Sequence, residues 1–286
     1  VTTQKRRLGI AQLSLVGTAP PDLVGIAAQA GFDFIGARVR PVTTTERPYN
    51  LQPGSPMLKE TLERMADTGI TVEDIEFLLL DGTGLQNGQD QREAWLHMME
   101  AGQALGASSL TVACADPDLG RFEEHLAQMT QDGKAYGIMP TLEPIAYQTV
   151  RSVPEALKLA QRAGCRIVVD ALHVNRFGGT AAELEAAADL VPLIQLCDGP
   201  AAAPASREAL ITESRSERGV PGEGEFGLAA LVAAFPADIP VSVETPSNSR
   251  AAARGELAWA KHLKAAADSV LVTSANNAAA LTGSNR

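Results

Sequence analysis

The chain has 286 residues, a formal net charge of -10 and a pI near 5.0, with 45% hydrophobic and 20% charged residues. That composition fits a soluble globular protein and argues against wholesale disorder. The acidic balance and an aromatic content of 4% argue against a nucleic-acid binder, which needs clustered Lys/Arg and base-stacking rings.

Short β-like runs alternate with Ala/Leu-rich helical stretches. Leu8 to Gln12 reads as a strand, Asp22 to Ala30 as a helix and Phe32 to Val39 as a second strand. Met57 to Thr68 is helical, and Ile70 to Leu80 contains the third strand. Arg92 to Leu105 is a strong helix ended by Gly106, followed by a fourth strand, Ser109 to Ala113. Phe122 to Tyr136, Val153 to Ala163, Ala181 to Ala188 and Phe226 to Phe235 are the next helices. Between them fall strands at Ile138 to Glu143, Arg166 to Asp170, Leu193 to Cys197 and Ile239 to Glu244. Arg250 to Ala267 closes the series, and the Ala/Ser/Thr/Asn-rich tail from about residue 270 is expected to be a flexible or loosely docked arm.

Eight strand–helix units predict an α/β protein, a single (β/α)₈ TIM barrel spanning residues 1–286 as one domain. Runs such as Ser109 to Ala113 and Arg166 to Asp170 are apolar enough to be buried on both faces. The rival, an open doubly wound sheet, favours a glycine-rich turn after the first strand, where Ser14-Leu15-Val16-Gly17 stands instead. The three cysteines, Cys114, Cys165 and Cys197, all lie in apolar runs, which predicts inert thiols and a cytoplasmic setting. No secretory signal and no membrane-spanning run is read from the sequence.

In such barrels, polar residues at the C-terminal strand ends face the active site. Glu143, Asp170, Gln195 and Glu244 stand on four consecutive strands. Converging carboxylates repel unless a cation joins them, and three carboxylates with an amide oxygen suit Mg²⁺ or Mn²⁺. His173 follows the sixth strand and is a candidate acid/base, substrate contact or metal ligand. Glu76 lies near the end of the third strand. Arg38 and Arg40 follow the second, and alternation turns one inward to meet substrate. The Gly/Glu-rich stretch from Glu217 to Glu225 reads as an active-site loop, with Arg218 placed to hold substrate oxygens. The polar segment from Pro41 to Pro56 reads as a lid or pocket wall. His97, His125 and His262 fall in helices and are expected to be structural.

Leu142-Glu143-Pro144, Asp170-Ala171-Leu172-His173, Gln195-Leu196-Cys197-Asp198, the Arg218 loop and Val243-Glu244 together resemble the sugar phosphate isomerase/epimerase family, with its xylose-isomerase-like barrel. The resemblance implies that Glu143, Asp170 and Glu244 bind the metal and that Glu143 and Glu244 form the acid/base pair. It implies that His173 and Arg218 contact substrate. Gln195 departs from the histidine ligand of most epimerase members. Related 3-dehydroshikimate dehydratases share the barrel, and some use Glu, Asp, Gln and Glu. The leading expectation is therefore a metal-dependent sugar or sugar-phosphate isomerase/epimerase of carbohydrate metabolism. A lyase of the dehydroshikimate type and a non-catalytic barrel are the alternatives. The expected partner is a small carbohydrate or cyclic polyol acid, without nucleic acid or membrane, in a possible homodimer. An AP-endonuclease-like barrel, with its histidine-rich zinc site and basic groove, is disfavoured by four histidines and the acidic charge.

Overall fold

The computed structural model describes residues 6–43 and 45–283. Eight parallel strands close on themselves: β1 (Leu8–Ala11), β2 (Phe34–Arg38), β3 (Thr71–Leu80), β4 (Ser109–Cys114), β5 (Met139–Leu142), β6 (Arg166–Asp170), β7 (Leu193–Leu196) and β8 (Val241–Val243). Each strand pairs with its sequence neighbours, and β8 pairs with β1. The predicted barrel is the observed architecture. Its large apolar core lies between the strands and the surrounding helices. A separate small cluster of Phe34, Val168 and Leu193 belongs to the opposite faces of the strands and floors the barrel interior.

The floor matters because it sets the height of everything above it. Side chains on one strand face recur every second residue. Gly36 and Arg38 therefore stand above Phe34, Asp170 above Val168 and Gln195 above Leu193. The register holds Asp170 level with Gln195 and Gln195 level with Ser242, so polar groups from successive strands meet in one layer. Gly9 makes room for the floor: a Cβ there would lie 2.2 Å from the Phe34 ring. Burying a ring like Phe34 stabilises by about 1.5–3 kcal/mol, and Gly9→Ala would force it out of place.

The helices are α1 (Pro20–Ala30), α2 (Pro56–Thr68), α3 (Gln91–Leu105), α4 (Leu119–Gly133), α5 (Val153–Ala163), α6 (Ala171–Phe177), α7 (Ala181–Ala187), α8 (Arg207–Ser216), α9 (Leu228–Ala233), α10 (Asn248–Arg254) and α11 (Glu256–Gly283). α5 has the boundaries its sequence signals predict. Ser152 and Glu155 form a reciprocal capping box, Pro154 stands in the first turn, and Gly164 closes the helix in the left-handed region at φ 73°. α4 begins earlier than predicted because the Asp118 carboxylate caps the amides of Gly120 and Arg121.

His173 stands just past the strand end, as expected, in the short helix α6, which starts directly at the end of β6. The connection after β7 carries α8, which sequence periodicity did not reveal. The expected arm is helical over the described residues. The chain breaks at Gly255 and then continues as α11 to Gly283, with Val270 and Ser274 buried. Residues 284–286 of the predicted tail lie outside the described residues. No helix among the described residues is long and apolar enough to cross a membrane.

Candidate active site

A cavity of about 330 Å³ opens at the C-terminal end of the barrel. Arg38, Glu76, Glu143, His173, Gln195, Arg218 and Glu244 all line it. Val42, Thr43, Thr45 and Glu46 form part of its wall, as expected of the Pro41–Pro56 segment. Asp170 is not in the lining. It is 1% exposed and sits directly behind Arg218.

Backbone bonds fix the two glutamates. The Glu143 amide donates to Val112 O at 2.8 Å and the Glu244 amide to Leu196 O at 2.9 Å, so each continues the ladder one residue past its strand. Asp170 ends β6 and caps α6, its Oδ1 accepting from the Leu172 amide at 2.7 Å. That cap turns the chain into a helix at once, which carries His173 back over the strand end. His173 Nε2 then lies 3.6 Å from Glu143 Oε1. The Tyr147 ring holds the imidazole edge-on at 5.7 Å, and the Tyr147 hydroxyl bonds Ser214 Oγ at 3.1 Å.

Arg218 is the hub of the opposite wall. Nη1 donates to Asp170 Oδ2 at 2.6 Å and lies 3.0 Å from Glu244 Oε2. Nε donates to Ser214 O at 2.8 Å. The Arg218 amide donates to Pro246 O, and Gly219 exchanges two bonds with Asp198, which pins the arginine backbone between neighbouring loops. Gln195 Nε2 donates to Glu244 Oε1 at 3.2 Å. Gln195 Oε1 and His173 Nδ1 are buried without a hydrogen-bond partner among the described residues.

The charges follow from burial and pairing. Burial opposes ionisation of Asp170, but Arg218 and His173 outweigh it and hold the carboxyl below its usual range. Burial pushes Glu143 up to about 8, helped by the nearby Asp170 charge. Burial also raises Glu244 well above the usual range despite Arg218. Burial takes His173 down to about 4, with Arg218 adding to the effect, so the imidazole is neutral near neutral pH.

A second acid–arginine group lies across the cavity. Arg38 points inward, 3.3 Å from Glu46 and 3.4 Å from Glu76. Arg40 instead lines a separate hollow beside the hairpin Leu85–Gln86/Gln89–Asp90; alternation would put both arginines on one face, and they part because the strand ends at Arg38 and the chain bends before Arg40. Below Glu76, Asp74 is 1% exposed, and neither of its oxygens has a partner among the described residues. Burial and the neighbouring Glu76 raise it well above the usual carboxylate range.

Other candidates have structural duties. Asp198 accepts from the amides of Gly199, Gly222 and Phe226. It thereby folds the glycine-rich loop, which corrects the reading of that whole loop as active-site lining: Arg218 faces the cavity, and the glycines pack on Asp198. A Cβ at Gly224 would lie 2.3 Å from Asp198 Oδ1. His97, His125 and His262 lie in helices as expected, paired with Gln89, Gln91 and Glu223. Sequence reasoning missed Tyr147, Ser214, Glu46 and Asp74. Asp74 was signalled by its spacing of two from Glu76, and Glu46 by its place in the wall segment. Ser214 and Tyr147 had no local signal, because their position depends on α8 and on the loop before α5.

Glu143, Asp170 and His173 each offer a donor atom, all within 4.8 Å of one another. With the unpartnered Gln195 oxygen beside them, this donor set fits a divalent cation. Buried acids and a neutral histidine thus stand together at the C-terminal mouth of a closed parallel barrel. The chain belongs to the xylose isomerase-like TIM barrel family, whose sequence profile it matches over residues 24–264. No curated protein sequence matches it.

Solved structures share the fold at low identity. A xylose isomerase-like TIM barrel/4-hydroxyphenylpyruvate dioxygenase fusion protein is 22% identical with TM-score 0.70, over 86% of this chain and 39% of the fusion protein. The chain thus spans well under half of that relative. A D-allulose 3-epimerase from Methylomonas sp. is 15% identical with TM-score 0.67, over 94% of this chain and 100% of the other. The probable 3-DHS dehydratase AsbF from Bacillus anthracis is 14% identical with TM-score 0.67, over 91% and 97%.

Proposed function

We propose that this barrel is a divalent-metal-dependent enzyme that removes a proton beside the carbonyl of a small polyhydroxylated substrate, and that it acts as a dehydratase of the 3-dehydroshikimate type. Glu143, Asp170, Gln195 and Glu244 would hold the ion, Mn²⁺ or Mg²⁺ by the hardness of the donors. When bound, it supplies a Lewis acid that acidifies the C–H next to the carbonyl. His173 takes the proton at Nε2. It is suited to this because it is neutral and because Tyr147 fixes its ring. The C–H electron pair forms an enolate, which expels the β-hydroxyl as the carbonyl re-forms. The leaving hydroxide takes the proton from His173 and departs as water, leaving a conjugated product.

The observation that carries this ranking is the unpartnered Gln195 Oε1, an amide oxygen at the position where the family resemblance expects a histidine ligand in most epimerases and a glutamine in some dehydratases. His173 Nε2 lies 3.6 Å from Glu143 Oε1, beyond hydrogen-bond distance, which leaves its lone pair open to take the proton. The epimerase, favoured by the sequence resemblance, is therefore the second reading, and the D-allulose 3-epimerase shares its fold. Incubation of Mn²⁺-loaded protein with 3-dehydroshikimate separates the two. The dehydratase gives rising ultraviolet absorbance from a conjugated product. Solvent deuterium entering a recovered ketose, with no such rise, supports the epimerase instead.

A further inference from the structure

Arg218 stands where a cation shared by Asp170 and Glu244 would have to stand. Its Nη1 lies 2.6 Å from Asp170 Oδ2 and 3.0 Å from Glu244 Oε2. An ion such as Mg²⁺ binds carboxylate oxygens at about 2.0–2.1 Å, so an ion shared by these two oxygens would fall on the same space as that nitrogen. The remaining oxygens are engaged as well: Asp170 Oδ1 by the Leu172 amide and Glu244 Oε1 by the Gln195 amide. Arg218 itself is buried, with both carboxylates holding its charge firmly in place. Two like charges also repel across so short a gap.

We infer, resting on the metal-dependent reading above, that Arg218 and the divalent ion are alternative partners of the Asp170–Glu244 pair, and that metal loading turns the guanidinium toward the cavity. The way out is built. Arg218 already lines the cavity, and its Nε and Nη2 reach Ser214 on the cavity wall, at 2.8 Å to the carbonyl and 3.4 Å to Oγ. In the metal-free protein the guanidinium bridges the two buried acids. In the loaded protein the ion takes over that role, and the released Nη1 is available to substrate oxygens. Arg218 is thus a positioning residue that couples loading of the ion to completion of the substrate site.

The test measures ion binding alone. Free Mn²⁺ is titrated by its electron paramagnetic resonance signal against chelator-stripped wild-type protein, Arg218→Gln and Arg218→Lys, each checked for folding by circular dichroism. Removing the competitor is expected to tighten Mn²⁺ binding at least about tenfold in Arg218→Gln, the fold-change of about 1.4 kcal/mol. Arg218→Lys, whose shorter side chain ends before the position of Nη1, is expected to bind several-fold tighter than wild type, and it serves if the glutamine variant does not fold. Mn²⁺ binding that is unchanged or weaker in the folded variants overturns the competition while leaving the metal-dependent reading intact. Absence of saturable Mn²⁺ binding in wild type and variants alike overturns both.

Discussion

The cavity carries two buried arginine–carboxylate groups, and they are built differently. On the β6–β8 side, Arg218 meets Asp170 and Glu244 at 2.6 and 3.0 Å, and its own backbone is pinned by Pro246 O. On the β2–β3 side, Arg38 meets Glu46 and Glu76 at 3.3 and 3.4 Å, and Asp74 below them has no partner among the described residues. The first group stands on strand ends and ladder-bonded residues. The second depends on a carboxylate delivered by the wall segment. A short buried ion pair holds its acid ionised, as Asp170 is held. An unpartnered buried acid stays protonated, as burial dictates for Asp74. Asp170 is therefore the firmly ionised acid of the β6–β8 side, and Asp74 the neutral acid of the β2–β3 side.

Substitutions can break that contrast. The largest effect is expected for His173→Ala: turnover of 3-dehydroshikimate falls by about 10²–10⁴-fold, the usual contribution of a general base, while bound Mn²⁺ is retained by elemental analysis. Asp170→Asn leaves the buried Arg218 with Glu244 as its one acidic partner and is expected to cost up to about 3–5 kcal/mol in denaturant unfolding of the metal-free protein. Asp74→Asn replaces an already neutral acid with a neutral amide and is expected to change unfolding by less than about 1 kcal/mol. Equal losses in those two variants would erase the distinction between the sides.

The pH response lies between these. Glu143 is raised from 4.5 to about 8 in the folded chain, so its neutral form is the stabilised one. That stability is present below the unfolded value and is lost as pH rises from about 4.5 to 8. Asp170, held low, stays ionised across this window. The melting temperature of chelator-treated protein should therefore fall between about pH 5 and pH 8, and saturating Mn²⁺ should remove most of the fall. A flat or rising melting temperature without metal would contradict the assigned burial of Glu143.

Much of the fold was legible because strands buried on both faces are apolar runs and because glycine and capping signals end the helices. α5 and β6 fall where their patterns place them. What stayed hidden depended on tertiary contact. α6 is too short to show helical periodicity, and only the Asp170 cap reveals why the helix starts there. α8 has a mixed polar sequence and holds its place through Ser214, Glu213 and their arginine partners. For the site, the strand-end rule selected Glu143, Gln195 and Glu244, which line the cavity, and Asp170, which lies just behind it. The spacing of the motifs carried no sign that Arg218 would lie between Asp170 and Glu244. That arrangement needs the loop folded by Asp198 and the carbonyl of Pro246, neither of which is near Asp170 in sequence.

The most direct test of the account is the absorbance of a 3-dehydroshikimate solution mixed with the protein, before and after chelation of bound metal. A steady rise from the conjugated product is expected, abolished by chelator and restored by Mn²⁺ or Mg²⁺. A rise of equal rate in protein shown by elemental analysis to hold no divalent metal would contradict it.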